Sequence, residues 1–307
     1  MKISIVIPFY NERGNVNIIY KRLSVTLRKY FRNFSYEIIA VDDGSQDITL
    51  ELLKKLRKKD NNIKIIGFSR NFGHHIAITA GLDHAAGDYI VMMDGDLQDQ
   101  PEEIVNLFNK LKKGYDVVYA VRKNKKFGIL KKLSSSLFNY IIKFLINENI
   151  IINSTIFRIM TKQVKESIGQ LRESNRYIVG LVGWVGFKHG YCFVEHGERS
   201  NGKTKYNFFK QLDLAINAIT SFSDYPLKIA NRVGLLLVMA SFVLNIYIIF
   251  RKFAYNTPII GWTSLFSSII LIGGIQIILL GIMGEYLGKN YIESKKRPLY
   301  VIKTKLL

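Results

Sequence analysis

The chain has 307 residues, with 44 Lys and Arg against 24 Asp and Glu for a formal charge of +20, and 48% of it is hydrophobic. That length holds one large domain or two ordinary ones, and the apolar share excludes a disordered or collagen-like chain. A charge of +20 points first to nucleic acid, yet the mean hydropathy of +0.09 is high for a chain so charged and requires apolar and charged residues to occupy separate stretches.

At the N-terminus the apolar run from Ile3 to Phe9 is too short for a signal peptide and is broken by Pro8 and Asn11. The first 200 residues are therefore expected to stay on the side where they are made. Short Ile- and Val-rich runs at Ile3–Ile7, Glu37–Val41, Ile63–Phe68, Tyr89–Met93 and Val117–Val121 predict strands. Between them, Val16–Tyr30, Thr49–Lys59, Ile76–Ala86 and Glu102–Lys112 have helical periodicity. This alternation predicts an α/β domain with a parallel sheet covered on both faces, in which ligands bind beyond the carboxyl ends of the strands.

The loops at those ends carry nearly all the reactive side chains of this half: Pro8 to Glu12, Asp42 to Asp47, Ser69 to Gly73, Asp94 to Asp99, and Arg122. Asp47 and Asp99 are explained as turn or helix caps, for which Asp is an ordinary choice. Acids after the second strand and again after the fourth exceed what capping requires. Asp94 and Asp96, one residue apart, suit a hard cation, Mg2+ or Mn2+, which is held by one or two carboxylates plus substrate phosphates, with Gln98 as a neutral oxygen donor. Asp42 and Asp43 are placed to hydrogen-bond a base or ribose. The absence of a Gly-rich phosphate loop argues against a kinase, an ATPase or a dehydrogenase and points to a nucleotide-sugar held by acids and a metal.

Lys110 to Lys165 holds 13 Lys and Arg against two acids, an excess of +11, interleaved with Leu, Phe, Tyr and Ile. Such a stretch suits a surface resting on anionic headgroups, and Leu212–Phe222 is a further amphipathic candidate. Cys192 is the only cysteine, so there is no disulfide framework. Val233–Phe250 and Phe253–Gly284 are uncharged for 18 and 32 residues, enough to span a hydrocarbon core that takes about 20 residues to cross. Pro258 and Gly261 mark a loop, which leaves Ser264–Gly284 as the second span. Lys228 and Arg232 before the pair and Lys289, Lys295, Lys296, Arg297, Lys303 and Lys305 after it outnumber Arg251 and Lys252 between them, so both termini are expected in the cytoplasm. With two spans, nucleic acid is no longer the expected partner.

The runs Ser4-Ile5-Val6-Ile7-Pro8-Phe9-Tyr10-Asn11-Glu12, Val41-Asp42-Asp43-Gly44-Ser45-Gln46-Asp47 and Asp94-Gly95-Asp96-Leu97-Gln98-Asp99-Gln100-Pro101-Glu102 resemble family 2 glycosyltransferases of the GT-A fold. More narrowly, the chain resembles the polyprenyl-phosphate group, the dolichyl-phosphate mannose synthases and bactoprenol glucosyltransferases. Trp184-Val185-Gly186-Phe187, Gly202-Lys203-Thr204-Lys205-Tyr206, Ser221-Phe222-Ser223 and Gly281 to Gly288 extend the match over essentially the whole chain. The resemblance implies a GT-A, Rossmann-like cytoplasmic domain at 1–205, an amphipathic juxtamembrane helix at 206–230, two transmembrane helices at 231–288 and a cytoplasmic tail at 289–307.

It further implies that Pro8, Tyr10, Glu12, Asp42 and Asp43 border the nucleotide and that Asp94, Asp96 and Gln98 hold the metal on the donor diphosphate. Arg122, Lys131, Ser135, Arg199 and Lys205 fall where the family binds phosphate, and Asp96 and Arg122 are the residues on which catalysis is expected to depend. Relatives of this group often assemble as tetramers. The sequence departs from the family at Asn153 and Ile156, ahead of Phe157-Arg158, where many relatives are acidic, and at Val179 and Lys203.

The expected function is therefore an inverting transfer of one sugar, glucose or a related hexose, from a UDP-linked donor to undecaprenyl or dolichyl phosphate on the cytoplasmic membrane face. A membrane glycosyltransferase with a non-lipid acceptor and a catalytically impaired nucleotide-sugar-binding scaffold are the alternatives.

Overall fold

The computed structural model describes residues 1–122, 156–194, 225–255 and 261–307. Internal contacts divide the chain into two units, one of residues 1–139, 148–206 and 297–307 and the other of 140–147 and 207–296.

The first unit opens with the α/β alternation that the sequence predicts. Strands β1 (Lys2–Phe9), β2 (Ser35–Asp42), β3 (Ile63–Phe68), β4 (Tyr89–Met92) and β5 (Val117–Arg122) alternate with helices α1 (Val16–Tyr30), α2 (Thr49–Lys59), α3 (His74–His84) and α4 (Ile104–Leu111). A 3-10 turn, Pro101–Glu103, leads into α4. In β1 every residue from Ile3 to Phe9 is buried, the pattern of a central strand covered on both faces. Helix α1 buries Val16, Ile19, Leu23 and Leu27, the stripe that a 3.6-residue period sets against the sheet. Phe31, Phe34, Tyr89 and Phe108 close one end of this core through edge-on ring contacts with centroids 5.1 to 6.3 Å apart.

After residue 155 the chain adds β6 (Arg158–Thr161), α5 (Lys162–Gln170), α6 (Ile178–Trp184), β7 (His189–Val194) and, at the C-terminus, β8 (Ile302–Leu306). The eight strands form one sheet in the order β7-β5-β6-β4-β1-β2-β3-β8. Neighbours β4-β1-β2-β3 are parallel, whereas β6 runs antiparallel to both β4 and β5, and β8 antiparallel to β3. The sheet is thus mixed where the strand-helix alternation predicts a parallel one. The two antiparallel strands, β6 and β8, are short, at four and five residues.

This order puts β1 between β2 and β4, so the direction of winding reverses at β1. Ligands of open α/β sheets bind in the crevice beyond the carboxyl ends at such a reversal. The loops after β1, β2 and β4 meet there.

The second unit contains two long helices, α7 (Tyr225–Tyr255) and α8 (Trp262–Ser294). Within them Tyr225–Leu244 and Ser268–Ser294 are long and apolar enough to cross a membrane, with mean hydropathies of 1.7 and 2.0 and none of either stretch buried. Helices that expose apolar side chains to this degree suit lipid rather than water. Helix α7 begins within the stretch read as an amphipathic juxtamembrane helix; the remainder of that stretch, 206–224, lies outside the described residues.

Candidate active site

The loops after β1 and β2 are strapped together. Asn11, at φ 56°, donates its amide to Ser45 Oγ at 3.0 Å, while its Oδ1 accepts the Gln46 amide at 2.8 Å. The Glu12 amide donates to Thr49 Oγ1 at 3.0 Å, and the Glu12 carboxylate accepts Asn15 Nδ2 at 2.5 Å across the start of α1. Pro8 is buried opposite Val41 at the end of β1, and Tyr10 stands 40% exposed just past it. A half-exposed ring at the mouth of a crevice offers a face to a flat ligand.

Asp42 and Asp43 are both buried and do different work. Asp42 Oδ2 accepts the Ser45 amide at 3.3 Å, and Oδ1 is buried with no hydrogen-bond partner among the described residues. Burial pushes its pKa up, which the Ser45 hydrogen bonds only partly offset. A buried acceptor without a donor is costly in isolation and suits a ligand that brings an N–H or O–H. Asp43 instead turns to the 69–73 loop: Oδ1 accepts the Phe72 amide at 2.7 Å and Oδ2 the Gly73 amide at 3.0 Å. Its pKa is also raised by burial, against those two amides.

The turn after β4 has a period of two. Asp94, Asp96 and Gln98 are half-exposed, while Gly95, Leu97 and Asp99 between them are buried. The Asp94 amide donates to Asp99 Oδ2 at 3.1 Å, the Gln98 amide to Asp96 Oδ1 at 3.1 Å, and Leu97 sits at φ 66°. A non-glycine residue in the left-handed region is held there only by its surroundings. Glycine is required at 95 because an ideal Cβ would lie 2.7 Å from the Pro8 carbonyl oxygen. Two carboxylates and an amide, each half-exposed in one turn, match the hard-oxygen chemistry of Mg2+ or Mn2+. Among the described residues no three His, Cys, Asp or Glu side chains converge on a common ion position.

Two residues that the sequence reading passed over flank this turn. His74, at the start of α3 and with its side chain 44% exposed, places Nε2 3.1 Å from Asp94 Oδ1. Burial works against its charged form, but the Asp94 hydrogen bond and charge, backed by Asp43 and Asp96, raise its pKa. Arg158 pairs with Met92 in the β4–β6 register, two positions before Asp94. It is fully buried, donates Nε to the Ile156 carbonyl at 3.1 Å and lies 4.7 Å from the Tyr119 ring centroid. The Tyr119 hydroxyl is hydrogen-bonded to His189 Nδ1 at 2.8 Å. His75, edge-on to Tyr177 at 5.2 Å, is kept neutral with a pKa of about 4 by burial, then by the charges of His74 and Arg158. A cation thus lies beneath the acidic turn and neutral rings line it.

Arg122 is the last residue of β5. Because β6 is antiparallel to both β4 and β5, β5 ends on the same rim as β4. Lys131, Ser135, Asn153, Arg199, Lys203 and Lys205 lie outside the described residues. Of the predicted site residues, Pro8, Tyr10, Glu12, Asp42, Asp43, Asp94, Asp96 and Gln98 therefore share one rim, with Arg122 on it by backbone position.

Residues 4–169 match the family model described as Glycosyl transferase family 2. The chain is 41% identical to the Bacillus subtilis protein named "Uncharacterized glycosyltransferase YkcC", over 97% of this chain and 92% of that one. It is 38% identical to the Escherichia coli "Prophage bactoprenol glucosyl transferase homolog", over 99% of each chain. Among solved structures, Mycobacterium tuberculosis glucosyl-3-phosphoglycerate synthase in complex with Mn2+, uridine diphosphate and phosphoglyceric acid shares the fold, with a TM-score of 0.50 at 15% identity over 71% of this chain and 76% of that one.

Proposed function

The chain belongs to glycosyltransferase family 2 and has a GT-A-like fold, and from that premise we propose that it transfers one sugar, glucose or a related hexose, from a UDP-linked donor to a polyprenyl phosphate at the cytoplasmic membrane face. The observation that carries the reading is the rim that bears both the Asp94–Gln98 turn and the Asp42 oxygen left without a partner among the described residues, in a chain that continues into two apolar helices. The full-length similarity to a bactoprenol glucosyl transferase homolog supports the lipid acceptor.

In this reading Pro8, Tyr10, Glu12 and Asp42 border the nucleoside, Asp42 Oδ1 accepting a donor group of the base or ribose. Asp43 acts through the 69–73 loop that it holds. Asp94, Asp96 and Gln98 would hold Mg2+ or Mn2+, which when bound supplies positive charge to the donor diphosphate. An oxygen of the lipid phosphate attacks the anomeric carbon, the bond from that carbon to the diphosphate oxygen breaks, and the configuration inverts. A phosphate monoester has a second pKa of about 6, so the attacking oxygen is ionised at neutral pH without a protein base, and the lack of an acid at Asn153 or Ile156 is no obstacle. Catalysis is then chiefly positioning and charge stabilisation. Arg122 on the rim, with Lys131, Ser135, Arg199 and Lys205, is assigned to the acceptor phosphate.

The placement of β8 supports the proposed topology. β8 follows the two apolar helices yet is hydrogen-bonded into the sheet that begins with β1. This supports a topology in which both ends of the helix pair lie on one side and the chain crosses an even number of times. The excess of Lys and Arg on the outer flanks of the pair supports a cytoplasmic placement of that side.

The test is a panel of radiolabelled nucleotide-sugars incubated with the membrane-embedded chain and undecaprenyl or dolichyl phosphate. UDP-glucose with Mg2+ or Mn2+ should yield label in an organic-extractable lipid, and chelation should abolish it. Label that enters only protein or polysaccharide would move the reading to a non-lipid acceptor. Donor binding without release of UDP would make the protein a scaffold.

A further inference from the structure

The residues beyond the second long helix reach the donor side of the sheet. β8 pairs with β3, and just before it Val301 accepts the Ser69 amide at 3.0 Å. The pairing shifts register between Gly67 and Phe68, where β3 gives way to the 69–73 loop. At that point the Tyr300 ring stacks on Phe68, with centroids 5.2 Å apart and planes 19° from parallel. The Tyr300 hydroxyl donates to Asp83 Oδ2 at 2.8 Å, the oxygen that Arg172 Nη1 also reaches at 2.9 Å. Phe68 meets Phe72 edge-on at 5.5 Å, and the Phe72 amide is the one donated to Asp43 Oδ1 at 2.7 Å. Arg70 lies 4.1 Å over the Phe72 ring. A continuous line of contacts therefore runs from Tyr300 through Phe68 and Phe72 to Asp43.

We propose that Tyr300 is a positioning residue for the nucleotide-sugar donor, its ring clamped between Phe68 and Asp83 so that the 69–73 loop stays against Asp43 at the rim. The proposal rests on the reading of that rim as the donor site. Loops after strands are the least stable parts of such sheets unless tied down, and β3 would be an open edge without β8. The hydrogen bond to Asp83 fixes the ring plane, and the stack transmits that position to Phe68. The donor site is thus completed by residues that follow the apolar helices in sequence, and a fragment ending before those helices lacks the clamp. Since Tyr300 touches Phe68 at the base of the loop and not the reacting atoms, its loss should weaken donor binding in ground and transition state alike, raising KM without lowering kcat.

The experiment uses the full chain in detergent, titrated calorimetrically with UDP in the presence of Mn2+, with steady-state transfer measured in parallel. Tyr300→Ala should raise the Kd for UDP and the donor KM about tenfold, with kcat at saturating donor within about twofold of the unsubstituted chain. Tyr300→Phe keeps the stack and leaves Arg172 on Asp83 but loses the hydroxyl that fixes the ring plane, and should weaken UDP by about twofold to threefold, less than the alanine variant. Tyr300→Leu keeps apolar bulk without the ring and should weaken UDP by at least about threefold; it decides the matter if the alanine variant does not fold. An unchanged Kd in either the alanine or the leucine variant, or a fall in kcat at unchanged Kd, overturns the clamp alone. Absence of UDP binding by the unsubstituted chain overturns the donor reading and the clamp with it.

Discussion

Asp99 Oδ2 accepts the backbone amide of Asp94 at 3.1 Å and closes the turn that carries the half-exposed Asp94, Asp96 and Gln98. Asp99 is itself buried, so its role is to hold the turn rather than to meet a ligand. Asp99→Ala removes the acceptor and should lower kcat/KM by about tenfold to a hundredfold, the usual cost of losing a residue that orients metal ligands. Asp99→Asn retains an acceptor oxygen and should recover most of the loss. Equal activity of the alanine variant and the unsubstituted chain in the labelled-lipid assay would remove Asp99 from the site.

Asp96 has two possible uses, since its Oδ1 already accepts the Gln98 amide. Asp96→Asn separates them by keeping an oxygen for that amide while removing the charge. Both Asp96→Asn and Asp96→Ala should cut transfer by about a hundredfold or more while folding and membrane insertion are intact. Mn2+ titration followed by electron paramagnetic resonance should show weakened binding in both. Full transfer by Asp96→Ala with metal present would refute the metal assignment.

Gly44 holds φ at 69°, and a Cβ there would lie 2.4 Å from the Arg70 carbonyl carbon and 2.7 Å from the Asn71 nitrogen, both backbone atoms. The β2 loop therefore packs directly on the loop after β3. Gly44→Ala should destabilise the sheet domain by about 2 kcal/mol or more and raise the donor KM, because the 69–73 loop must give way. Gly14→Ala is the control, with nothing within 4 Å of the added atom. Thermal unfolding of the two variants in parallel checks the difference, and a Gly44→Ala melt matching that of Gly14→Ala would contradict it.

The elements legible in the sequence are those with strong local periodicity: α1, α2 and β3 have the bounds that the apolar pattern predicts. The Asp94-x-Asp96-x-Gln98 spacing has a counterpart in burial, since these three are half-exposed while Gly95 and Leu97 between them are buried. The strand β8 was not legible in the sequence. Ile302-Lys303-Thr304-Lys305-Leu306 reads as a basic tail, and only the open edge of β3, far away in sequence, makes it a strand. The same holds for His74, whose meaning depends on Asp94 arriving from another loop, and for Arg158, since a buried charge has no signature in the chain.

Toward the amino end of the strands, opposite the site, Glu37 of β2 is 2% exposed and joins Lys2 Nζ at 2.6 Å and Lys64 Nζ at 2.9 Å. It also accepts Ser4 Oγ at 2.6 Å and the Ala86 amide at 2.7 Å. Burial alone would raise its pKa, but these partners overcome burial and hold it at about 2, below the ordinary 4.5. A folded-state pKa below the unfolded value contributes stability that is full above pH 4.5 and is lost as the pH falls toward about 2. The difference corresponds to about 3 kcal/mol. Glu37→Gln cannot titrate, so its melting temperature should fall less steeply across that acid window, while at neutral pH it should be the less stable of the two. Parallel slopes for the variant and the unsubstituted chain between pH 4.5 and about 2 would show that the lysine clamp on Glu37 contributes nothing to acid stability.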